Sequence, residues 1–132
     1  GLAAALDSFL QETKDRFGLQ CRLQIDDQFD IAGPAGITLF RIVQEAVHNT
    51  CKHAQATTCA VSLEQRGDTL ELAISDDGIG MQTDDEDKES ALGIVGLHER
   101  VSGLSGTFSL TSKPGAGTRI CCRFPQAAIN PG

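Results

Sequence analysis

Leu2, Leu6, Phe9, Leu10 and Phe17 recur at helical spacing and Gly18 follows as a stop, so the pattern predicts a helix over residues 2 to 16. The run CRLQID then alternates: Cys21, Leu23 and Ile25 face one way and Arg22, Gln24 and Asp26 the other, as on a half-buried strand. A polar loop ends near Pro34, a residue suited to the first turn of the next helix. On that helix Leu39, Val43, Ala46, Val47 and Ala54 cluster on one side, as expected of an amphipathic element lying on a core. At about 100° per residue, Glu45, Asn49, Lys52 and His53 of EAVHNTCKHA fall within roughly a quarter-turn on the other side. This polar stripe is either a solvated face or the wall of a binding site.

Beyond Ala54 the period changes to two. Cys59, Val61 and Leu63 form one alternating run and Leu70, Leu72 and Ile74 the next, with Arg66-Gly67-Asp68 as a hairpin link. Residues 77 to 92 break every periodicity with Gly78, Gly80 and the acidic tract DDEDKE, which predicts a mobile loop. A helix from about Ile94 to Leu104 follows, then alternating runs Phe108 to Thr111 and Arg119 to Phe124 joined by the turn KPGAGT. Residues 126 to 132 are small and polar, a tail expected to fray. Strands that are apolar on one face only need helices over that face. The expected fold class is an α/β (α+β) two-layer sandwich.

Composition narrows the function. The 132 residues carry 11 basic and 18 acidic side chains, a net charge of -7 that disfavours nucleic acid as a partner. No apolar run approaches the roughly 20 residues that span a bilayer, so no direct membrane insertion is expected of this stretch. The opening GLAAALDSFLQETKDRF has neither a basic start nor a cleavage pattern. Cys21, Cys51, Cys59, Cys121 and Cys122 are odd in number and contain no C-x-x-C pair, which argues against a zinc site or a disulfide framework. Reduced, mostly buried thiols in a cytosolic protein fit better. Cys121 and Cys122 should point to opposite faces of their strand.

Candidate chemistry lies at the ends of these elements. DDGIGM, residues 76 to 81, follows the strand ending at Ile74, and its glycines let the backbone turn sharply and approach a ligand. An aspartate there can accept hydrogen bonds from an amino group. In LGIVGLHERV, residues 92 to 101, Gly93 and Gly96 sit at the predicted opening of a helix, where unpaired N–H groups form an anion site. Each motif alone is also compatible with a plain turn or a loop that ends in a helix.

As an ordered set these motifs resemble the ATP-binding catalytic domain of sensor histidine kinases, a branch of the GHKL ATPases that includes gyrase, MutL and a heat-shock chaperone. RIVQEAVHNTCKHA looks like the N box, DDGIGM the first glycine box, GIVGLHERV the second, and SKPGAGTRI the closing glycine-threonine element. The wording RIVQEA, KHA and ERV is closest to the nitrate-sensor-like subfamily, and the resemblance covers roughly residues 19 to 125. It implies a Bergerat-type fold, a mixed, mainly antiparallel five-stranded sheet covered on one face by about three helices. It also implies that Asn49 coordinates Mg²⁺ beside the phosphates of ATP, that Glu45 orders a metal-bound water or acts as a base, and that Lys52 and His53 lie near the phosphates. Asp76 would accept the adenine amino hydrogen, Gly78 and Gly80 would admit the base, Gly93 and Gly96 would hold phosphate, and Thr118 would support the adenine contact. The implied partners are a histidine-bearing dimerisation module of the parent kinase and a response regulator, in a cytoplasmic setting whose parent protein can be membrane-anchored.

Two features depart from the family pattern. Ala91 stands where the subfamily usually has another glycine, which would stiffen or move the hinge of the lid, and the lid tract TDDEDKE is acidic enough to repel ATP if it closed over the phosphates. Residues 1 to 18 read as a helix leading from an upstream module, since the stretch is too short to hold the paired helices of a phosphoacceptor segment. His48 carries no assigned role, His98 reads as a solvated helix position, Lys113 is either near the nucleotide or an exposed turn lysine, and Arg100 is expected to pair with a nearby acid. The alternatives are a GHKL-type regulatory module that holds nucleotide without passing phosphate and an anti-sigma-factor serine kinase.

Overall fold

The computed structural model describes residues 1–26, 33–80 and 88–129, and at 53, 54 and 88–92 it describes the backbone alone. The alternating runs form strands β1 (Gln20–Ile25), β2 (Thr58–Arg66), β3 (Thr69–Asp76), β4 (Thr107–Ser112) and β5 (Thr118–Pro125). They make one mixed open sheet in the order β1-β2-β3-β5-β4, parallel between β1 and β2 and antiparallel elsewhere. A parallel pair needs a crossover. Here the crossover is helix α2 (Gly33–Asn49), extended by a wider π-helical turn at Thr50–Ala54.

Helices α1 (Leu2–Phe17), α2 and α3 (Lys88–Gly103) pack against the same face of the sheet. Val61, Leu63, Leu70, Leu72, Ile74, Cys122 and Phe124 meet Leu39, Ile42, Val43 and Val47 of α2 in the core. Burying each such side chain contributes about 1.5–3 kcal/mol. Cys122 is inside and Cys121 is partly exposed, as strand alternation requires. No helix among the described residues is long and apolar enough to cross a membrane.

The five-stranded α/β sandwich is the fold class that the alternation and the resemblance imply, and the differences lie at element ends. Thr13, rather than Phe17, completes the buried stripe of α1, because its hydroxyl donates to the Phe9 carbonyl (2.9 Å) and is satisfied within the helix. Phe17 is exposed. Helix α3 begins at Lys88 instead of near Ile94. The acidic tract up to Asp87 and the loop from Asp27 to Ala32 lie outside the described residues. The stretch predicted to fray instead starts with a helical turn, α4 (Gln126–Ile129), held where the Gln126 N–H donates to the Asp68 carbonyl (2.9 Å) and Ile129 enters the core.

Asp77 joins the start of β2 to the end of β3. Its Oδ1 accepts the N–H groups of Thr57 and Thr58, both at 2.9 Å, and its Oδ2 accepts the Thr57 hydroxyl at 2.7 Å. These hydrogen bonds, the Thr58 N–H foremost, hold the carboxyl well below the usual carboxylate range. A depressed folded-state pKa means stability that is present above the unfolded value of about 3.9 and is lost as pH falls towards the folded one. Asp77→Ala should therefore melt below the parent domain at pH 7, with the gap narrowing steadily below about pH 4. Calorimetric melts across that range test it, and a gap independent of pH would contradict the assignment.

Candidate functional site: a carboxylate row beneath a polar helix face

Strand register lines up Cys21, Cys59, Asp76, Thr118 and Ser112 in one row across all five strands. Asp76 stands near its middle at the end of β3, where cavities of about 610 Å³ and 320 Å³ both reach it. Cys21 and Cys59 line the first, and Ser112, Gly117 and Thr118 the second. Thr118 is in register with Asp76, and its hydroxyl lies 3.0 Å from that of Ser112.

The Asp76 carboxylate is held from two sides. The Gly78 N–H donates to Oδ1 (2.9 Å), and the Thr50 hydroxyl lies 3.1 Å from Oδ2. Thr50 is buried on the widened turn, and its hydroxyl is also within reach of the Ala46 carbonyl (3.2 Å). Sequence reasoning missed Thr50. The signal was available: Thr50 continues the apolar side through Val43, Ala46 and Val47, and a hydroxyl on a buried stripe needs a partner.

The two glycine-rich turns interlock beside this carboxylate. Gly80, at φ +76, packs against the Lys113 carbonyl, and Gly117, at φ +77, packs against the Asp76 carbonyl. A Cβ at either position would overlap backbone, and an L side chain would be strained at that φ. The Gly115 N–H donates to the Ile79 carbonyl and closes the contact. Gly80 thus makes its close approach to the 113–117 turn, while Gly78 binds Asp76 directly.

Helix α3 seats on the polar stripe of α2. Gly93 faces Asn49, Gly96 faces Glu45, and Arg100, a turn further on, donates from Nε and from its terminal nitrogen to Glu45 Oε1, both at 2.8 Å. The pair is partly exposed, which limits its worth to about 1 kcal/mol or less. Since α3 starts at Lys88, the four unpaired N–H groups of its first turn fall at 88–91. Gly93 and Gly96 therefore lie beyond the helix opening where the sequence pattern puts them, and in this arrangement they serve close helix approach. Ala91 lies within the helix.

Lys52 is exposed on the widened turn, and the side chain of His53 is outside the described residues. His48 packs edge-on to Phe9 and His98 to Phe108. Among the described residues no group of His, Cys, Asp or Glu converges to hold a metal. Asn49 is different. Its Nδ2 is buried without a hydrogen-bond partner, 2.9 Å from where a Cβ on Gly93 would lie. One amide whose oxygen and nitrogen can exchange places, with no cage of carboxylates, suits a cation such as Mg²⁺ that takes most of its ligands from phosphate and water.

Residues 35–128 match the family model for histidine kinase-, DNA gyrase B-, and HSP90-like ATPases, and the chain belongs to that family. It is 35% identical over 132 residues to the signal transduction histidine-protein kinase/phosphatase DegS of Bacillus subtilis, covering 95% of this chain and 34% of that protein. It is 40% identical over 94 residues to the sensor protein VraS of Staphylococcus saprophyticus, covering 70% of this chain and 27% of that protein. The chain thus spans about a third of the length of the curated relatives it matches. Its fold superposes on the Erythrobacter litoralis EL346 blue-light activated histidine kinase with a TM-score of 0.79 at 21% identity, covering 96% of this chain and 42% of that one.

The glycines of α3 give a test of the seat on α2. A methyl at Gly96 would meet Glu45 Oε2 at an ordinary 3.5 Å, whereas one at Gly93 would press on Asn49 at 2.9 Å. Replacing a helix-interior glycine with alanine gains about 1 kcal/mol, and overpacking costs about 1–3 kcal/mol. Gly96→Ala should stabilise the domain in chemical denaturation, and Gly93→Ala should be neutral or destabilising. Equal gains from both would show that α3 does not press on Asn49.

Proposed function

We propose that this domain binds ATP with Mg²⁺ and donates the γ-phosphate to a histidine on a dimerisation module of the parent kinase, from which it passes to a response regulator. The observation that carries the reading is the Asp76 carboxylate at the end of β3, fixed by the Gly78 N–H and by the hydroxyl of Thr50, the residue that follows Asn49 of the stripe. Family membership supports ATP as the nucleotide. The name of the DegS relative, a signal transduction histidine-protein kinase/phosphatase, supports phosphotransfer, and a cytoplasmic setting belongs to the same reading.

In this reading Asp76 accepts the adenine amino hydrogen and Thr118 supports that contact. Asn49 offers its amide to Mg²⁺, which, when bound, neutralises phosphate charge. Glu45, restrained by Arg100, keeps Oε2 towards Gly96 and orders a water or takes a proton there. Lys52 and His53 lie near the phosphates, Gly78 and Gly80 shape the base pocket, and Gly93 and Gly96 face the phosphates once nucleotide lifts the first turns of α3 from Asn49. The domain proper extends over residues 19–125, with α1 as the link to the upstream module.

Asp76→Asn should weaken ATP binding by about 1.5–3 kcal/mol, the worth of a hydrogen bond to a charged group, because the amide presents an unwanted donor. Titration calorimetry should also show ATP bound more tightly than GTP, whose exocyclic oxygen cannot donate to a carboxylate. Equal affinities for the two nucleotides would remove the adenine assignment. Supplied in trans with the parent's dimerisation segment, the domain should label that histidine, and Asn49→Ala should abolish labelling while retaining much of the adenine affinity. Undiminished transfer by Asn49→Ala would exclude Asn49 as the metal ligand, and label on a serine of a partner protein would favour the serine-kinase alternative.

A further inference from the structure

The row that carries Asp76 continues into two cysteines that the nucleotide reading leaves unused. Cys59 lies between Cys21 and Asp76, in register with each. Neighbouring strands run about 4.8 Å apart, inside the Cα separation of about 4.4–6.8 Å that a disulfide spans. The Cys21 Sγ lies 3.7 Å from the Leu19 carbonyl oxygen, and Cys59 stands directly opposite on the neighbouring strand. Cys21 is partly exposed on the edge strand and Cys59 is buried. By contrast, Cys121 and Cys122 occupy opposite faces of β5 and cannot pair with each other.

We propose that Cys21 and Cys59 form an oxidation site at which a hydroperoxide, reaching the partly exposed Cys21 on the edge strand, closes a reversible disulfide that weakens nucleotide binding. The Cys21 thiolate attacks the outer peroxide oxygen, the O–O bond breaks, and the alcohol or water leaves with a proton, giving a sulfenic acid on Cys21. The Cys59 sulfur then attacks that sulfenic sulfur. The S–S bond forms, the S–O bond breaks, and hydroxide departs as water with the Cys59 proton. Two thiols lose two electrons, and one peroxide is reduced by two.

The order of events follows from the surroundings. The neighbouring Cys59 thiol holds the Cys21 thiol below its usual range, and Cys21 together with burial pushes Cys59 well above it. Cys21, partly exposed on the edge strand, is the attacking sulfur, and buried Cys59 the resolving one. The new bond draws Cys59 towards β1, away from Asp76 in the same row, and disturbs the site that Thr50 and Gly78 hold together. Cytosolic disulfides of mesophiles are usually transient and redox-sensing, which is the behaviour expected here.

The effect on binding rests on the nucleotide reading, so the test separates the two. The reduced domain is treated with hydrogen peroxide, its free thiols are counted, its peptides are mapped by mass spectrometry, and its ATP affinity is measured before and after reduction with dithiothreitol. Two thiols should be lost, a peptide carrying Cys21 should be joined to one carrying Cys59, and the Kd for ATP should rise about tenfold, as when a hydrogen bond to a carboxylate is weakened. Dithiothreitol should reverse all three changes. Cys21→Ser, checked for native circular dichroism, should form no link and keep its affinity under peroxide, whereas Cys51→Ser should behave as the parent. Linkage of Cys21 to Cys51, oxidation without linkage, or a linked domain of unchanged affinity would overturn the proposal. Failure of the reduced domain to bind ATP would count against the nucleotide reading and against the affinity change, leaving the disulfide itself to be judged by the peptide map.

Discussion

The contact between Thr50 and Asp76 ties the helical layer to the sheet at the carboxylate to which the proposed reading assigns the adenine contact. Thr50 lies on the widened turn that prolongs α2, and Asp76 ends β3, so the hydroxyl joins the end of the stripe helix to the carboxylate. An α-helical continuation would place the following residues at a different angle about the axis, since a π-turn takes up more residues per revolution. Such turns often mark functional positions, and here one carries a buried hydroxyl to a carboxylate. The Gly78 N–H holds the other oxygen, so the acceptor is oriented before any ligand arrives.

Above that carboxylate, α3 covers the stripe with groups of unequal strength. Arg100 binds Glu45 in a partly solvated pair, whereas the contact of Gly93 with Asn49 leaves a buried amide nitrogen unpartnered. A buried unsatisfied polar group costs about 1–3 kcal/mol, more than the exposed ion pair returns. The seat of α3 is therefore weakest at Asn49. A ligand group that satisfied this amide would remove that cost, and in the proposed reading nucleotide binding is thereby coupled to movement of the first turns of α3.

Much of this was legible before the structure. Alternation located all five strands, and the helical spacing of Leu2, Leu6 and Leu10 and of Leu39, Val43 and Val47 located the faces that cover them, because burial on one side imposes the period. Element ends were less legible. The start of α3 depends on whether residues 88–93 join a helix already stabilised by packing, a cooperative outcome that local composition does not reveal. Likewise α4 owes its order to a distant carbonyl at Asp68 and to a core position for Ile129. Motif order brought Asp76, Thr118, Asn49 and Glu45 to attention, yet Thr50, Arg100's partner and the alignment of two cysteines with Asp76 emerge only from register and packing.

The largely apolar groove of about 440 Å³ between α1 and α2, lined by Leu2, Ala5, Gly36, Ile37 and Phe40, is the rival location for a ligand. Arg41 and Gln44 are the polar side chains at its wall, and among its described residues it has no carboxylate to accept an adenine amino group. Amide chemical-shift mapping with adenosine, a ligand without phosphates, separates the two places directly. The account predicts that the amides of Thr50, Gly78, Gly80 and Thr118 shift while those of Gly36, Ile37 and Phe40 stay fixed. Shifts centred on the α1–α2 groove, with Gly78 and Thr118 unmoved, would contradict it.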